Sequence, residues 1–378
     1  MSVLPYPSLA SFPLVDALRL IRSENVGPLT FFQLLAHHGS PEAALAALPC
    51  LARNGGKRIY TPCSIEAAEH EIEAAQRFGA HFIVYGSVEY PALLQGIADP
   101  PPVLTVLGDA SLWQHATAVA VVGSRNASAN GARFAARLSQ ELGAMGFLVV
   151  SGLARGIDAA AHRGALATGS TAGVIAGGTG NIYPPENQEL YGELQARGAI
   201  LSEQPFGSLP FAGSFPGRNR IIAGMSTGVV VVEASPKSGS LITARMAAEQ
   251  GREVMAVPGS PLDPRAKGCN QLLRDGAALI ESAEDVACAL RAPRALLTER
   301  PAPVFTPAEA SEPNLSEARG RLMERLGPIA VGVDELLLQC EIPPALAQAV
   351  LLELELAGKL QRLPGGRVCL LMTEAMAD

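Results

Sequence analysis

Five short glycine-rich stretches, each set behind a short apolar run, constrain this chain more than any other feature. They read Gly123-Ser124-Arg125, Ser151-Gly152-Leu153-Ala154-Arg155-Gly156, Gly177-Gly178-Thr179-Gly180, Gly217-Arg218-Asn219-Arg220 and Lys237-Ser238-Gly239-Ser240. A strand that ends in a small, flexible turn and feeds a helix exposes backbone N–H groups, and the helix dipole favours an anion there. Four of the five carry Arg or Lys within or beside the glycines. One such turn suits a single phosphate. Five in series suit several phosphates in a row, and so a polyanion rather than one nucleotide.

The stretches between the turns set the architecture. Val103–Leu107, Val119–Val122, Leu148–Val150, Gly173–Ala176, Ala199–Ser202, Val229–Val232 and Val254–Val257 are short, branched and apolar on both sides, the pattern of strands buried on both faces of a parallel sheet. Ala132–Met145, Ala159–Thr168 and Leu241–Gln250 have helical periodicity, so the centre of the chain reads as a doubly wound α/β domain. Pro210–Gly217 reads as a loop or lid. Before this domain, Leu14–Ser23, Leu29–His37, Pro41–Leu48 and Ile65–Phe78 read as helices, with Val26-Gly27-Pro28 as a hairpin turn. After it, Pro293, Pro301, Pro303, Pro307 and Pro313 mark an extended linker. Three helices (Ser316–Leu326, Val333–Leu338, Pro344–Ala357) and a hairpin then outline a winged helix. The expected domains are 1–78, 79–292, linker 293–315 and 316–378.

Composition narrows the function classes. Apolar residues make up 48% of 378, enough for real cores, and the apolar runs are far shorter than the roughly 20 residues of a membrane span. No signal-peptide pattern opens the sequence, and six scattered cysteines suit reduced thiols in the cytoplasm and give no metal-ligand spacing, so neither a metal nor a cofactor is expected. The net charge of -7 sits in the flanks: residues 118–260 hold 11 Lys and Arg against 9 Asp and Glu. Local clustering governs phosphate binding, so the balance permits a nucleic-acid site.

At the strand ends of a doubly wound sheet the turns would line one groove. Arg125, Arg155, Arg218, Arg220 and Lys237 would supply charge there, and Ser124, Ser151, Ser238 and Ser240 hydroxyl donors. Gly123-Ser124-Arg125 continues as Asn-Ala-Ser, which lacks the dinucleotide fingerprint, and no GxxxxGK[ST] loop is present. Asp158, His162 and Glu233 could form an acid–base set, but no nucleophile with an adjacent base accompanies them. Asp158 is therefore expected to cap its helix or buttress Arg155, Glu233 to orient an arginine, and no residue to be catalytic.

Taken together, Ala120–Arg125, Ser151–His162, Phe215–Gly224, Ser238–Arg245 and Gly251–Val254 resemble the bacterial DNA-processing DprA (Smf) family. The resemblance implies a Rossmann-like, mostly parallel core with a small N-terminal helical domain and a C-terminal winged helix. It also implies a homodimer that binds single-stranded DNA, protects it, and helps load the RecA recombinase in natural transformation. Ser124, Arg125, Arg155, Arg218, Arg220, Lys237, Ser238 and Gly239 are the DNA contacts it implies, to which the turn chemistry adds Gly123, Ser151, Gly152, Gly156, Gly177, Gly178, Asn219 and Ser240. The chain departs from the family at Gly217, where an arginine is usual. Among Tyr183, Phe206, Phe211 and Phe215, only Phe211 is expected to stack on a base. A competing reading is an enzyme of the phosphoribohydrolase-like type, which needs a Pro-Gly-Gly-x-Gly-Thr run where this chain has Glu233–Gly239. In the winged helix, Pro344–Ala357 carries no cation, so it is not expected to read duplex DNA and suits a protein contact or packing on a neighbouring domain.

Overall fold

The structure, a computed structural model, describes residues 5–291, 312–363 and 366–371, with backbone alone for 312–314. Most of the expected linker, residues 293–311, lies outside the described residues, as do Pro364 and Gly365 of the expected wing turn. The chain forms two compact units, Met1–Ser11 with Glu69–Leu297 and Phe12–Ala68 with Thr298–Asp378.

The first unit is built on a nine-stranded sheet: β1 (Ala80–Val84), β2 (Val103–Gly108), β3 (Ala118–Val122), β4 (Leu148–Ser151), β5 (Thr171–Val174), β6 (Ala199–Ser202), β7 (Gly228–Val231), β8 (Glu253–Ala256) and β9 (Ala278–Leu279). Their order is β1-β2-β6-β5-β4-β3-β7-β8-β9. The pairs β1–β2 and β2–β6 are antiparallel and every other pair is parallel. From β3 the chain winds outward through β4, β5 and β6, then crosses back to lay β7 on the other side of β3. Between β3 and β7 the winding direction reverses, and a crevice opens there at the carboxyl ends of the strands.

Burial on both faces explains the composition of these strands. Val119 and Val121 of β3, Val149 of β4 and Val230 of β7 pack with Leu138 and Leu142 of the Ala129–Ala144 helix and with Ile157, Ala161 and Ala165 of the Ile157–Thr168 helix. Each fully buried Val or Leu contributes about 1.5–3 kcal/mol. Ser128 caps the first of these helices, its hydroxyl accepting from Gly131 N at 2.9 Å. The same face continues across β5 and β6 with Leu153, Ile175, Leu190, Leu194 and Ile200.

The fold departs from the sequence reading at two kinds of place. β1 and β9 are additional strands, a half-exposed edge and a two-residue rung whose patterns carry little period-2 signal. Pro210–Gly217 is not a continuous loop, because a helix runs Ser214–Met225. Pro216 and Gly217 read as chain breakers, yet Pro is tolerated in a helix's first turn, where no intrahelical N–H bond is lost.

In the second unit, helices Leu14–Arg22, Pro28–His38 and Pro41–Asn54 form a small bundle. The winged helix comprises helices Glu312–Arg325, Val333–Cys340 and Pro344–Leu356 with a three-stranded antiparallel sheet, β10 (Val331–Gly332), β11 (Leu360–Leu363) and β12 (Arg367–Leu370), in the order β10-β12-β11. Leu322, Leu336, Val350, Leu354 and Val368 fill its core. The Pro344–Leu356 helix also packs on Pro41–Asn54, so its apolar surplus is covered within the unit. Among the described residues, no single helix is long and apolar enough to cross a membrane.

Candidate nucleic-acid interface

The crevice between β3 and β7 is a cavity of about 490 Å³. Gly123, Ser124, Arg125 and Asn126 line it from the turn after β3, and Ala154 and Asp158 from the turn and helix after β4. Phe215, Arg218 and Asn219 line it from the Ser214–Met225 helix, and Ser238, Gly239, Ser240 and Thr243 from the start of the Gly239–Glu249 helix. A niche of about 30 Å³ continues it toward β5 between Gly152, Arg155, Gly177, Tyr183 and the shared Arg125, Phe215 and Arg218.

Arg218 sits where the two spaces meet and is only 6% exposed. Its Nη1 donates to the carbonyls of Gly152 (2.5 Å) and Val174 (2.9 Å), tying the ends of β4 and β5 together. A Cβ at position 152 would lie 1.6 Å from that nitrogen, so this approach requires glycine. The nearest counter-charge is Asp158, whose buried carboxylate also faces the backbone N–H side of Ala154, Gly152 and Gly123. Burial pushes the Asp158 carboxyl up, while Arg218 and those donors pull it down. Asp158 therefore organises two rim turns. Its charge acts on Arg218, while Arg155 pairs with Glu186 instead.

Other rim donors are committed as well. Ser124 N donates to Glu233 O at 2.8 Å, and Ile157 N to Ser124 O at 3.2 Å. His162 holds the turn after β4 from behind. The Thr171 hydroxyl donates to Val149 O (2.7 Å), so it accepts from His162 Nδ1–H (2.7 Å), and Nε2 accepts the N–H of Leu153 (3.3 Å), a residue with φ of 52°. Burial, reinforced by Arg218 and Arg163, pushes the His162 imidazole down to about 3. Glu233 accepts from both the backbone and the hydroxyl of Ser128, securing a helix start rather than orienting an arginine. Asp158, His162 and Glu233 thus serve separate structural bonds.

The expected contact residues divide. Arg125 is exposed and lies over the Phe215 ring, 4.7 Å from its centroid. Arg155 is 62% exposed with Glu186 at 3.6 Å, a surface pair worth about 0–1 kcal/mol that an incoming phosphate can displace. Lys237 is exposed beside the cavity-lining Ser238. Ser238 caps the following helix, its hydroxyl 2.7 Å from that of Ser240, and Asn219 Nδ2 donates to Gly239 O at 3.4 Å.

Other expected contacts lie elsewhere. Arg220 lines neither space: its guanidinium pairs with Glu203 and, at 3.3 Å, with Asp99. Side chains two residues apart on a helix leave on different faces, so Arg218 and Arg220 cannot serve one groove. Gly217 borders Glu203 too, since a Cβ there would lie 3.3 Å from its Oε1. Ser151 is fully buried and donates to Val121 O at 2.7 Å, joining β4 to β3. Gly156 adopts φ of 78° at the helix start, Gly178 packs against the Pro205 carbonyl, and neither lines a cavity. Phe211 is 61% exposed but outside both spaces, whereas Phe215 lines both and stands 6.3 Å from the half-exposed Tyr183 ring. The short motif Asn126 and the half-buried Phe215 carried no distinguishing sequence signal beyond their nearness to the turns.

Residues 81–291 match the family described as DNA recombination-mediator protein A, residues 14–74 a DprA-like N-terminal HHH domain, and residues 306–366 a DprA winged helix domain. The chain belongs to the DprA (Smf) family. DNA processing protein DprA of Bacillus subtilis is 46% identical over 216 residues, covering 57% of this chain and 73% of that protein. Protein Smf of Escherichia coli is 38% identical over 290 residues, covering 76% and 77%. Among solved structures, DprA from Streptococcus pneumoniae superimposes with a TM-score of 0.61 at 34% identity, over 76% of this chain and 98% of that one. DprA from Helicobacter pylori, described for its single-stranded DNA binding mode, gives 0.51 at 29% identity over 56% and 95%. The DprA fold expected from the turns is the observed one, and the chain is a recombination-mediator family member.

Proposed function

We propose that the β3–β7 crevice binds single-stranded DNA by its phosphates, without turnover, and that the protein acts as a recombination mediator that protects incoming DNA in natural transformation. The observation that carries this reading is a large cleft flanked by exposed cations, Arg125 and Arg155, with an aromatic ring, Phe215, beneath one of them. Single strands are held by such a combination of basic groove and stacking surface. The DNA-binding relative from Helicobacter pylori supports the same ligand. The structural engagement of Asp158, His162 and Glu233 supports a non-enzymatic role over the phosphoribohydrolase-like alternative.

Loading of RecA and assembly as a homodimer through the α/β core belong to the same proposal and rest on the family. A cytoplasmic location fits six cysteines that form no disulfide. Light scattering that finds only a 39.3 kDa species at micromolar concentration contradicts the dimer. Binding itself is tested by titrating a labelled oligothymidylate and a mononucleotide at several salt concentrations. Affinity should be far higher for the oligonucleotide and fall with salt, and Arg125→Ala should weaken all sequences alike, because a backbone contact carries no base information. Equal affinity for the mononucleotide, or salt-independent binding, contradicts the proposal.

A further inference from the structure

In the second unit, the helix of the winged domain that would enter a DNA groove is already occupied. Pro344–Leu356 lies on Pro41–Asn54, and the approach is close enough that a Cβ at Gly55 would stand 2.0 Å from the carbonyl oxygen of Glu353. Polar contacts follow the seam. Asn54 Nδ2 donates to Glu353 Oε1 at 3.2 Å, and Arg319 pairs with the same carboxylate, which is 3% exposed. Asn25 Nδ2 donates to Leu356 O at 3.2 Å, and the Thr30 hydroxyl to Glu355 Oε2 at 2.8 Å. Arg362, on the wing strand β11, holds Glu355 from the other side at 3.0 Å.

The position of Glu355 is informative. Asn25 lies in the hairpin between the first two helices, and Thr30 in the first turn of Pro28–His38. A helix start with a hydroxyl donor takes an anionic oxygen readily, and here the anion is a carboxylate of the same chain. Its removal also releases Arg362 from its carboxylate partner, leaving it Gln348 Oε1 at 3.4 Å, and removal of Glu353 releases Arg319 from its own. We propose that this seam is an autoinhibitory closure: the winged domain seats Glu355 on the hairpin in place of a nucleic-acid phosphate, so that hairpin and winged helix mask each other until the seam opens. The closure is independent of the β3–β7 crevice reading.

The test uses the full chain carrying Arg125→Ala and Arg155→Ala, which removes two exposed cations of the crevice, with and without Glu353→Ala and Glu355→Ala. Hydrogen exchange is read on the peptide covering residues 24–34, and affinity for a labelled oligothymidylate by anisotropy at low salt. Opening should speed exchange in that peptide while leaving β3 and β4 protected, and raise affinity by about tenfold, the effect of exchanging two repelling carboxylates for two released arginines. Thr30→Val, which removes one bond and almost no volume, should move both readouts the same way by less. Unchanged exchange in the hairpin overturns the closure. Faster exchange without a gain in affinity overturns the masking. Failure of oligonucleotide binding in the unmutated crevice would count against the function proposed above and not against this seam.

Discussion

Acid should loosen the rim of the crevice through His162. The imidazole is fully buried, donates through Nδ1 and accepts the Leu153 N–H through Nε2, and is held at about 3. In the unfolded chain it returns to about 6.5. Its folded value is depressed, so below pH 6.5 the unfolded state binds the extra proton. The stability contribution is complete above that pH and is lost as pH falls toward 3. At pH 5 the loss is about 1.5 pH units times 1.36 kcal/mol, or about 2 kcal/mol, against nearly nothing at pH 7.5. Urea unfolding of the wild type and of His162→Gln at the two pH values isolates this term, because Gln can both donate and accept without gaining a proton. The wild type should lose about 2 kcal/mol more than the variant on acidification. Coincident pH dependences, or an imidazole that titrates near 6.5 in the folded protein, would refute the assignment.

Arg220→Ala leaves Glu203 and Asp99 without their buried partner and should cost about 3–5 kcal/mol in urea unfolding, with no change in the salt slope of DNA binding by the folded protein. Asp158→Ala removes the buried charge opposite Arg218 at the rim, so it should lower stability and also weaken oligonucleotide binding, which calorimetry and anisotropy together detect. Phe215→Leu should cost about 1–3 kcal/mol of oligonucleotide binding, while Phe211→Leu should leave the affinity unchanged.

How much of this was legible depended on whether local chemistry or tertiary pairing decides a residue's role. The parallel core was readable because strands such as β3 are buried on both faces and leave an unmistakable branched, apolar run. β9 was not, since two residues carry no period. Gly123, Arg125, Arg155 and Ser238 reached the expected cleft because each follows a strand end, a position that sequence order defines. Arg220 and Ser151 did not. Whether an arginine meets a phosphate or a carboxylate from β6's flank depends on a side chain 17 positions away, and whether a serine faces solvent or Val121 depends on the neighbouring strand. Glu355 on Thr30 spans 325 positions, beyond any local pattern.

The division among the arginines bears directly on how the crevice would hold a polyanion. All five cations acting on phosphates would give a salt slope of about -3.5 per chain, at -0.7 for each phosphate neutralised. Arg220 is spent on Glu203 and Asp99, and Arg218 is neutralised by Asp158 while it binds two carbonyls. Three exposed cations remain, Arg125, Arg155 and Lys237, for a slope of about -2 per chain. The backbone offers less than the glycine pattern promised, because the Glu233 carbonyl takes the Ser124 N–H and the Asp158 carboxylate faces the backbone of Gly123, Gly152 and Ala154. What a phosphate can still reach is the Ser238–Ser240 helix start and the exposed ends of three long side chains. A measured slope near -3.5 would mean that the buried arginines are released on binding and that the rim rebuilds around DNA. A slope near -2 means that the glycines and two of the arginines exist to hold the rim rigid, and that three side chains and one aromatic ring do the holding.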